Sequence, residues 1–195
     1  AGGQGLREAA LGVVEEWARA AATPEARFVE ARQYKTTGVL VPPARNLRAM
    51  RTAIEERAPV HVFALTTDGG VGGIESIAMV RPTVLDDHSR HLTLVARERG
   101  LTLQEGAGSV AAVEILAYAA KPAKKPPRGV RQQLIRRISG WAEARHRLLT
   151  FNPSGHLGPS FAYHLPFEPV RGHEPRLVFT GSGWELLRYS MIKLV

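Results

Sequence analysis

The sequence contains no cysteine. A disulfide framework, a thiolate nucleophile and every cysteine-based zinc site are therefore excluded. The chain also lacks any apolar run near the roughly 20 residues that a membrane-spanning helix needs. Its opening Ala-Gly-Gly-Gln-Gly has no basic region followed by an apolar one, as a signal peptide would have. We therefore expect a cytoplasmic protein without a membrane partner.

Acidic residues are almost missing from one segment, Lys121 to Arg147, where Glu143 is the single acid. The nine bases of this segment are Lys121, Lys124, Lys125, Arg128, Arg131, Arg136, Arg137, Arg145 and Arg147. Nine bases against one acid give the segment the entire formal excess of +8 that the chain carries. Such clustering is typical of a surface that binds a polyanion. The alternative is a solubilising linker followed by the polar face of a helix.

Hydrophobic periodicity and turn residues predict a mixed α+β fold. Three helices and a hairpin are followed by two helices and a second hairpin, which is the order of a winged helix, with two such units in tandem left open. The pattern divides the chain into an N-terminal domain (1–120), a basic Pro-rich linker or loop (121–129) and a C-terminal domain (130–195). The predicted helices are 6–21, 25–33, 43–57, 109–120 (with a strand left open) and 130–149, and the predicted strands include 60–65, 74–80, 91–96, 161–167 and 176–180.

The helix that begins after Pro43 carries a basic flank. Arg45, Arg48 and Arg51 recur at every third residue, opposite the apolar Leu47 and Ile54. Arginine and asparagine pair bidentately with guanine and adenine edges, and the third helix of a helix-turn-helix unit enters the major groove. We predict base contacts from Arg45, Asn46, Arg48 and Arg51; an ordinary solvated face is the alternative.

The basic segment supplies the predicted phosphate contacts. Its candidate residues are Lys121, Lys124, Lys125, Arg128, Arg131, Arg136 and Arg137.

No catalytic motif is present. The Gly-rich Asp68 to Gly73 loop lacks the Lys-Ser/Thr pair of a phosphate-binding loop, and no serine has the GxSxG form. Asp86, Asp87 and His88 could bind a metal, but such a run between two strands also describes a turn. We predict a binding protein rather than an enzyme, with no catalytic residue, metal or cofactor.

Residues 73–80 (GIESIAMV) and the following Val84-Leu85-Asp86 carry a family resemblance. Together with the preceding helix and Gly-rich turn, residues 43–96 resemble the first winged-helix domain of plasmid replication initiator proteins. The resemblance implies two tandem winged helices that bind repeated origin sequences in DNA replication. It would put Arg45, Asn46, Arg48 and Arg51 on the groove helix.

These observations predict a nucleic-acid-binding protein, with DNA favoured over RNA. The first alternative is an RNA-associated structural or assembly protein, ribosomal or viral. The second is a metal-dependent nuclease that uses the histidines of the C-terminal third. Homo-oligomerisation stays open.

Overall fold

The computed structural model describes residues 2–23, 42–102, 108–123, 129–154, 157, 161, 165–172, 176–181 and 190–194. These residues form four α-helices and seven strands. The helices are α1 (Gly2–Ala21), α2 (Ala44–Glu55), α3 (His91–Glu98) and α4 (Val130–Glu143). The strands are β1 (His61–Thr66), β2 (Ile74–Asp86), β3 (Ser109–Ala120), β4 (Leu148–Phe151), β5 (Phe167–Pro169), β6 (Leu177–Phe179) and β7 (Ser190–Lys193).

The strands are hydrogen-bonded in the order β5-β6-β4-β3-β2-β1-β7. β3 and β4 are parallel, while β1 with β7, β4 with β6 and β5 with β6 are antiparallel. The predicted mixed α+β class is confirmed. Winged-helix units are not found among the described residues.

The chain forms two compact units. The first consists of Ala1–Met79, Ala117–Leu134 and Leu186–Val195, and the second of Val80–Leu116 and Ile135–Glu185. The units are interleaved along the chain, and the boundary between them falls inside β2, β3 and α4. The predicted division at residues 121–129 stays a prediction.

In the first unit, α1 packs against α2. Buried side chains recur at helical spacing on both: Ala10, Val14, Trp17 and Ala21 on α1, and Leu47, Met50 and Ile54 on α2. The Arg7 guanidinium donates to the carbonyl of Ile54 at 2.5 Å. Both helices were predicted.

In the second unit, α3 packs its apolar face into a core that it shares with β2, β3 and β4. The core consists of Leu85, Leu92, Val95, Ala96, Val110, Ala112, Leu148, Val170 and Val178. Edge-to-face contacts join Phe151 to Phe161 and Phe167, and Phe167 to Phe179, with ring centroids 5.2–5.3 Å apart.

For residues 109–120, where helix and strand were both open, the structure has a strand. Two other predicted elements are wrong. Residues 91–96 belong to a helix because Asp87 caps it. The last helix ends at Glu143 and gives way to β4, rather than running to residue 149. The predicted helix 25–33 lies outside the described residues, as do residues 162–164 of the predicted strand 161–167.

Candidate functional site

The parallel pair β3 and β4 is joined through α4. Ala112 pairs with Leu148, and Ile115 pairs with Phe151. A parallel pair needs such a crossover, and the crossover helix then begins just beyond the carboxyl end of the first strand. Ligands of α/β sheets bind at the carboxyl ends of the strands. The end of β3 and the start of α4, both in the first unit, are therefore the candidate site.

The backbone at the start of α4 is arranged as a helix N-terminus. Gly129 has φ +84, a conformation that favours glycine, and its carbonyl accepts the amide of Gln133 at 2.9 Å. The N–H groups of residues 130–132 precede this first bond and have no acceptor within the helix. Together with the helix dipole, they make a positive site suited to an anion.

Three polar side chains meet beside this helix start. The hydroxyl of Tyr118, near the end of β3, interacts with Ser76 of β2 and Arg131 of α4. Burial raises the pKa of Tyr118 to about 12, although the charge of Arg131 and the Ser76 hydroxyl lower it. Burial also lowers the pKa of Arg131, and Tyr118 opposes that shift. The phenol is therefore neutral at ordinary pH.

Two buried amide oxygens lack a hydrogen-bond partner among the described residues. They are Oδ1 of Asn46, a residue only 2% exposed, and Oε1 of Gln133, which is 5% exposed. The Nδ2 of Asn46 donates to the backbone carbonyl of Tyr118 at 2.8 Å, so this amide is anchored to the end of β3. Buried polar atoms are normally satisfied, so each exception needs an explanation, of which a bound ligand is one. Other buried side-chain atoms of the described residues, such as Oγ1 of Thr150, share this state.

Lys121 extends this region into solvent. Its amide donates to the carbonyl of Glu75 at 2.8 Å, which fixes the backbone where β3 ends. The exposed Nζ lies 3.9 Å from Oε1 of Glu75. An exposed pair at that distance is weak, and Lys121 can turn towards an anion at little cost.

The predicted base-contacting residues lie on α2, where they have unequal surroundings. Arg45 and Arg48 are exposed, whereas Asn46 faces inward as described. The Nε of Arg51 donates to Oε1 of Glu55 at 2.8 Å, and its guanidinium lies 4.0 Å from Glu15. The hydrogen bond and the charge of Glu55 raise the pKa of Arg51. Nucleic-acid contact by these residues stays a prediction.

The other predicted phosphate-binding residues divide into two groups. Arg136 and Arg137 lie half-buried on α4, in the second unit. Lys124, Lys125 and Arg128 lie outside the described residues. Contact of this set with nucleic acid likewise stays a prediction.

The second unit contains a cleft of about 480 Å³ between α3, α4 and the end of β6. Arg99 forms its floor: the guanidinium contacts Glu143, donates to the Ser139 hydroxyl at 3.1 Å, and donates to the Phe179 carbonyl at 2.5 Å. Burial lowers the pKa of Arg99. These donors already have partners within the protein. Since Arg99 directly follows α3 and two of its partners lie on α4, the network joins the two helices.

Neither the buried carboxylate of Glu114 nor a group of metal ligands provides a further site among the described residues of this unit. The Glu114 carboxylate is paired with Arg81 at 3.0 Å and Arg176 at 3.5 Å. Within the described residues, no three His, Asp or Glu side chains are grouped closely enough to hold a metal ion. The nuclease hypothesis depends on four histidines: His146 is described, whereas His156, His164 and His173 lie outside the described residues.

The sequence did not predict the site at the end of β3. Because helix and strand were both open for residues 109–120, the strand–loop–helix order around Gly129 was not predicted. The glycine directly before a strongly amphipathic helix, after a basic loop, was the available indication.

No protein-family model and no curated protein matches the chain. The solved structures that are similar to it include the following two. One, described as a bacterial toxin, is 13% identical, with a TM-score of 0.46 over 70% of this chain and 75% of its own. The other, AtaT complexed with acetyl-methionyl-tRNAfMet, is 11% identical, with a TM-score of 0.48 over 68% of this chain and 82% of its own.

The prediction of a DNA-binding protein, and its link to DNA replication, is wrong. The described residues do not show the winged-helix order on which that prediction depended, since 91–96 is a helix and 109–120 is a strand. None of the described helices combines the length and apolar character that a membrane span needs.

Proposed function

We propose that the chain is a group-transfer enzyme that binds an acyl thioester of coenzyme A at the start of α4. One observation carries the proposal: the β3-α4-β4 crossover puts a helix N-terminus at the carboxyl end of a parallel strand, next to two buried amide oxygens that lack partners. Helix N-termini in this position bind phosphate and pyrophosphate groups.

The edge of β3 is a second argument for this ligand, because it suits an extended arm that carries amide groups. The described residues of β4 pair with β3 only as far as Ile115, whereas β3 continues to Ala120. Backbone groups along such an edge can hydrogen-bond to an extended ligand, as in strand addition. Coenzyme A joins a pyrophosphate to an arm with two amide groups, so it matches both the helix start and the strand.

The residues of the first unit have distinct roles in this proposal. The N–H groups of residues 130–132 and the Nζ of Lys121 bind the phosphates. Arg131 and Tyr118 form the polar wall beside them, and the free oxygens of Asn46 and Gln133 accept N–H or O–H donors. An acyl thioester supplies an activated acyl group, which a nucleophilic acceptor takes with release of the thiol.

The test is calorimetric titration of the protein with coenzyme A, acetyl-coenzyme A and pyrophosphate. We expect saturable binding of the two coenzyme forms, and weaker binding of pyrophosphate, which lacks the arm. Lys121→Gln should raise the Kd of coenzyme A roughly three- to tenfold, because one charge-assisted phosphate contact is lost.

Arg48→Gln is the matched control, since it removes the same charge from an exposed position on α2. It should leave the Kd within about twofold, because exposed charges remote from a site are screened. Absence of binding by either coenzyme form would overturn the proposal. So would equal losses in the two variants, which would indicate general attraction of charge.

A further inference from the structure

The C-terminal end of α4, in the second unit, is closed by a rigid turn. The amide of Ala144 donates to the carbonyl of Gly140 at 3.0 Å, and those of Arg145 and Arg147 donate to Ala142 at 2.9 and 3.0 Å. The backbone amide of His146 donates to the backbone carbonyl of Glu143 at 2.8 Å. This pattern resembles a Schellman closure, in which the residue after the helix takes a left-handed conformation.

His146 occupies that left-handed position, with φ +55. Glycine is the usual residue there, because a Cβ makes this conformation unfavourable. His146 is exposed, so burial does not account for the choice of side chain. Strained residues of this kind concentrate where a side chain is used for binding or catalysis.

A planar stack lies next to His146. The Arg145 guanidinium carbon lies 4.4 Å from the centroid of the Trp141 ring, and its NH1 donates to the Trp141 carbonyl at 3.0 Å. Arg145 is exposed, so the face of its guanidinium away from the ring points to solvent. Arg137 lies one turn before Trp141 on α4.

The turn at the end of α4 is positively charged, and its single acidic side chain is already engaged. Glu143, the single acid between residues 121 and 147, is already bound by Arg99 and Ser139. Arg147 is anchored through a bond of 3.5 Å to the carbonyl of Ala112. The guanidinium groups of Arg137 and Arg145 therefore have no competing carboxylate on this turn.

We infer that Arg137, Trp141, Arg145 and His146, the α4 end patch, dock unpaired bases of an RNA. Bases stack on arginine planes and aromatic rings, and proteins recognise RNA mainly through unstacked bases in loops and ends. Arg137 supplies the phosphate contact, and His146 supplies a hydrogen-bonding edge. The inference does not depend on the proposed coenzyme site, which lies in the first unit.

The experiment compares two RNAs of equal length by fluorescence anisotropy, a hairpin with a single-stranded loop and a fully paired duplex, at two salt concentrations. We expect the hairpin to bind at least roughly fivefold more tightly, since stacking of one base commonly contributes that much. Arg145→Lys keeps the charge and loses the plane, so it should reduce hairpin affinity by a similar factor and leave duplex affinity unchanged.

His146→Gly separates a binding role from a structural one. It relieves the left-handed strain, so the melting temperature should rise while hairpin affinity falls. Far-UV circular dichroism, measured in parallel, reports whether each variant is folded. Three results would overturn the inference: equal binding of hairpin and duplex, equal binding of a DNA hairpin of the same sequence, or hairpin affinity that Arg145→Lys does not change.

Discussion

Asp87 illustrates how a single side chain determines the element that follows it. Its Oδ1 accepts the amide of Leu92 at 2.9 Å, and its Oδ2 accepts the amide of Thr93 at 2.8 Å and also the Thr93 hydroxyl. These bonds satisfy amides at the start of α3 that have no acceptor within the helix. Burial raises the pKa of Asp87, but the hydrogen bonds from Thr93 and Leu92 outweigh it, and the pKa is lowered.

The first prediction concerns Asp87 and pH. A carboxyl whose pKa is lower in the folded state stabilises the protein above its unfolded pKa of about 3.9. That contribution is lost as the pH falls through the lowered folded value. Asp87→Ala should reduce the free energy of unfolding at pH 7 by about 1–2 kcal/mol, as for other helix caps.

Urea unfolding at pH 7 and pH 3 measures this effect. The difference between the wild type and Asp87→Ala should narrow at pH 3, where the carboxyl begins to protonate. Asp86→Asn, at the exposed neighbouring carboxylate, is the comparison and should have a smaller effect. A constant difference at both pH values would contradict the role of the ionised carboxylate.

At the scale of elements, α4 contains a glycine that packing does not require. Nothing lies within 4 Å of a Cβ built on Gly140, whereas a Cβ on Gly181 would collide with Pro166. Both glycines line the cleft over Arg99. Similar substitutions at the two positions should therefore have opposite effects.

Gly140→Ala should raise the free energy of unfolding by about 0.5–1 kcal/mol, because alanine loses less backbone entropy within a helix. Gly181→Ala should lower it by roughly 1–3 kcal/mol, because the ring of Pro166 has to move. Thermal unfolding followed by circular dichroism measures both. A loss of stability in Gly140→Ala would show that the open space beside α4 is occupied in solution.

The sequence predicts elements well where one face alone is buried. The 3.6-residue spacing located α1, α2 and the start of α4, since each alternates buried and polar positions. For β3, helix and strand both stayed open, because its sequence is an alanine-rich apolar run without polar–apolar alternation. α3 was predicted as a strand because the spacing of Leu92, Leu94 and Val95 is compatible with one. The feature that favours a helix is the Asp87 cap.

The candidate site was predicted only in part. Lys121 and Arg131 stand out as members of the basic segment; Lys121 lies directly after β3 and Arg131 lies in the first turn of α4. The partners of Tyr118 could not be predicted, because Ser76, Asn46 and Arg131 come from distant parts of the chain. Their meeting depends on which strands are neighbours, and no local pattern encodes that.

At the scale of the whole molecule, cleaving the chain at a single position cannot separate the two compact units. The boundary crosses β2 between Met79 and Val80, β3 between Leu116 and Ala117, and α4 between Leu134 and Ile135. Disordering one unit therefore disrupts hydrogen bonds of elements that continue into the other. We expect a single cooperative unfolding transition.

Urea unfolding followed by far-UV circular dichroism and by tryptophan fluorescence tests this expectation. Trp17 lies in the first unit and Trp141 in the second, so fluorescence monitors both. The two curves should coincide, as in two-state unfolding. Separate transitions would show that the units unfold independently.

The pairing of β1 with β7 also has a consequence for synthesis of the chain on the ribosome. Phe63 pairs with Lys193 and Thr66 with Ser190, so β1 is translated long before the strand that covers its edge. Until then, that edge of β1 is open, next to the buried Val62 and Leu65. Open strand edges are prone to intermolecular pairing. The nascent polypeptide therefore has most need of a chaperone during the interval between translation of residue 66 and residue 190.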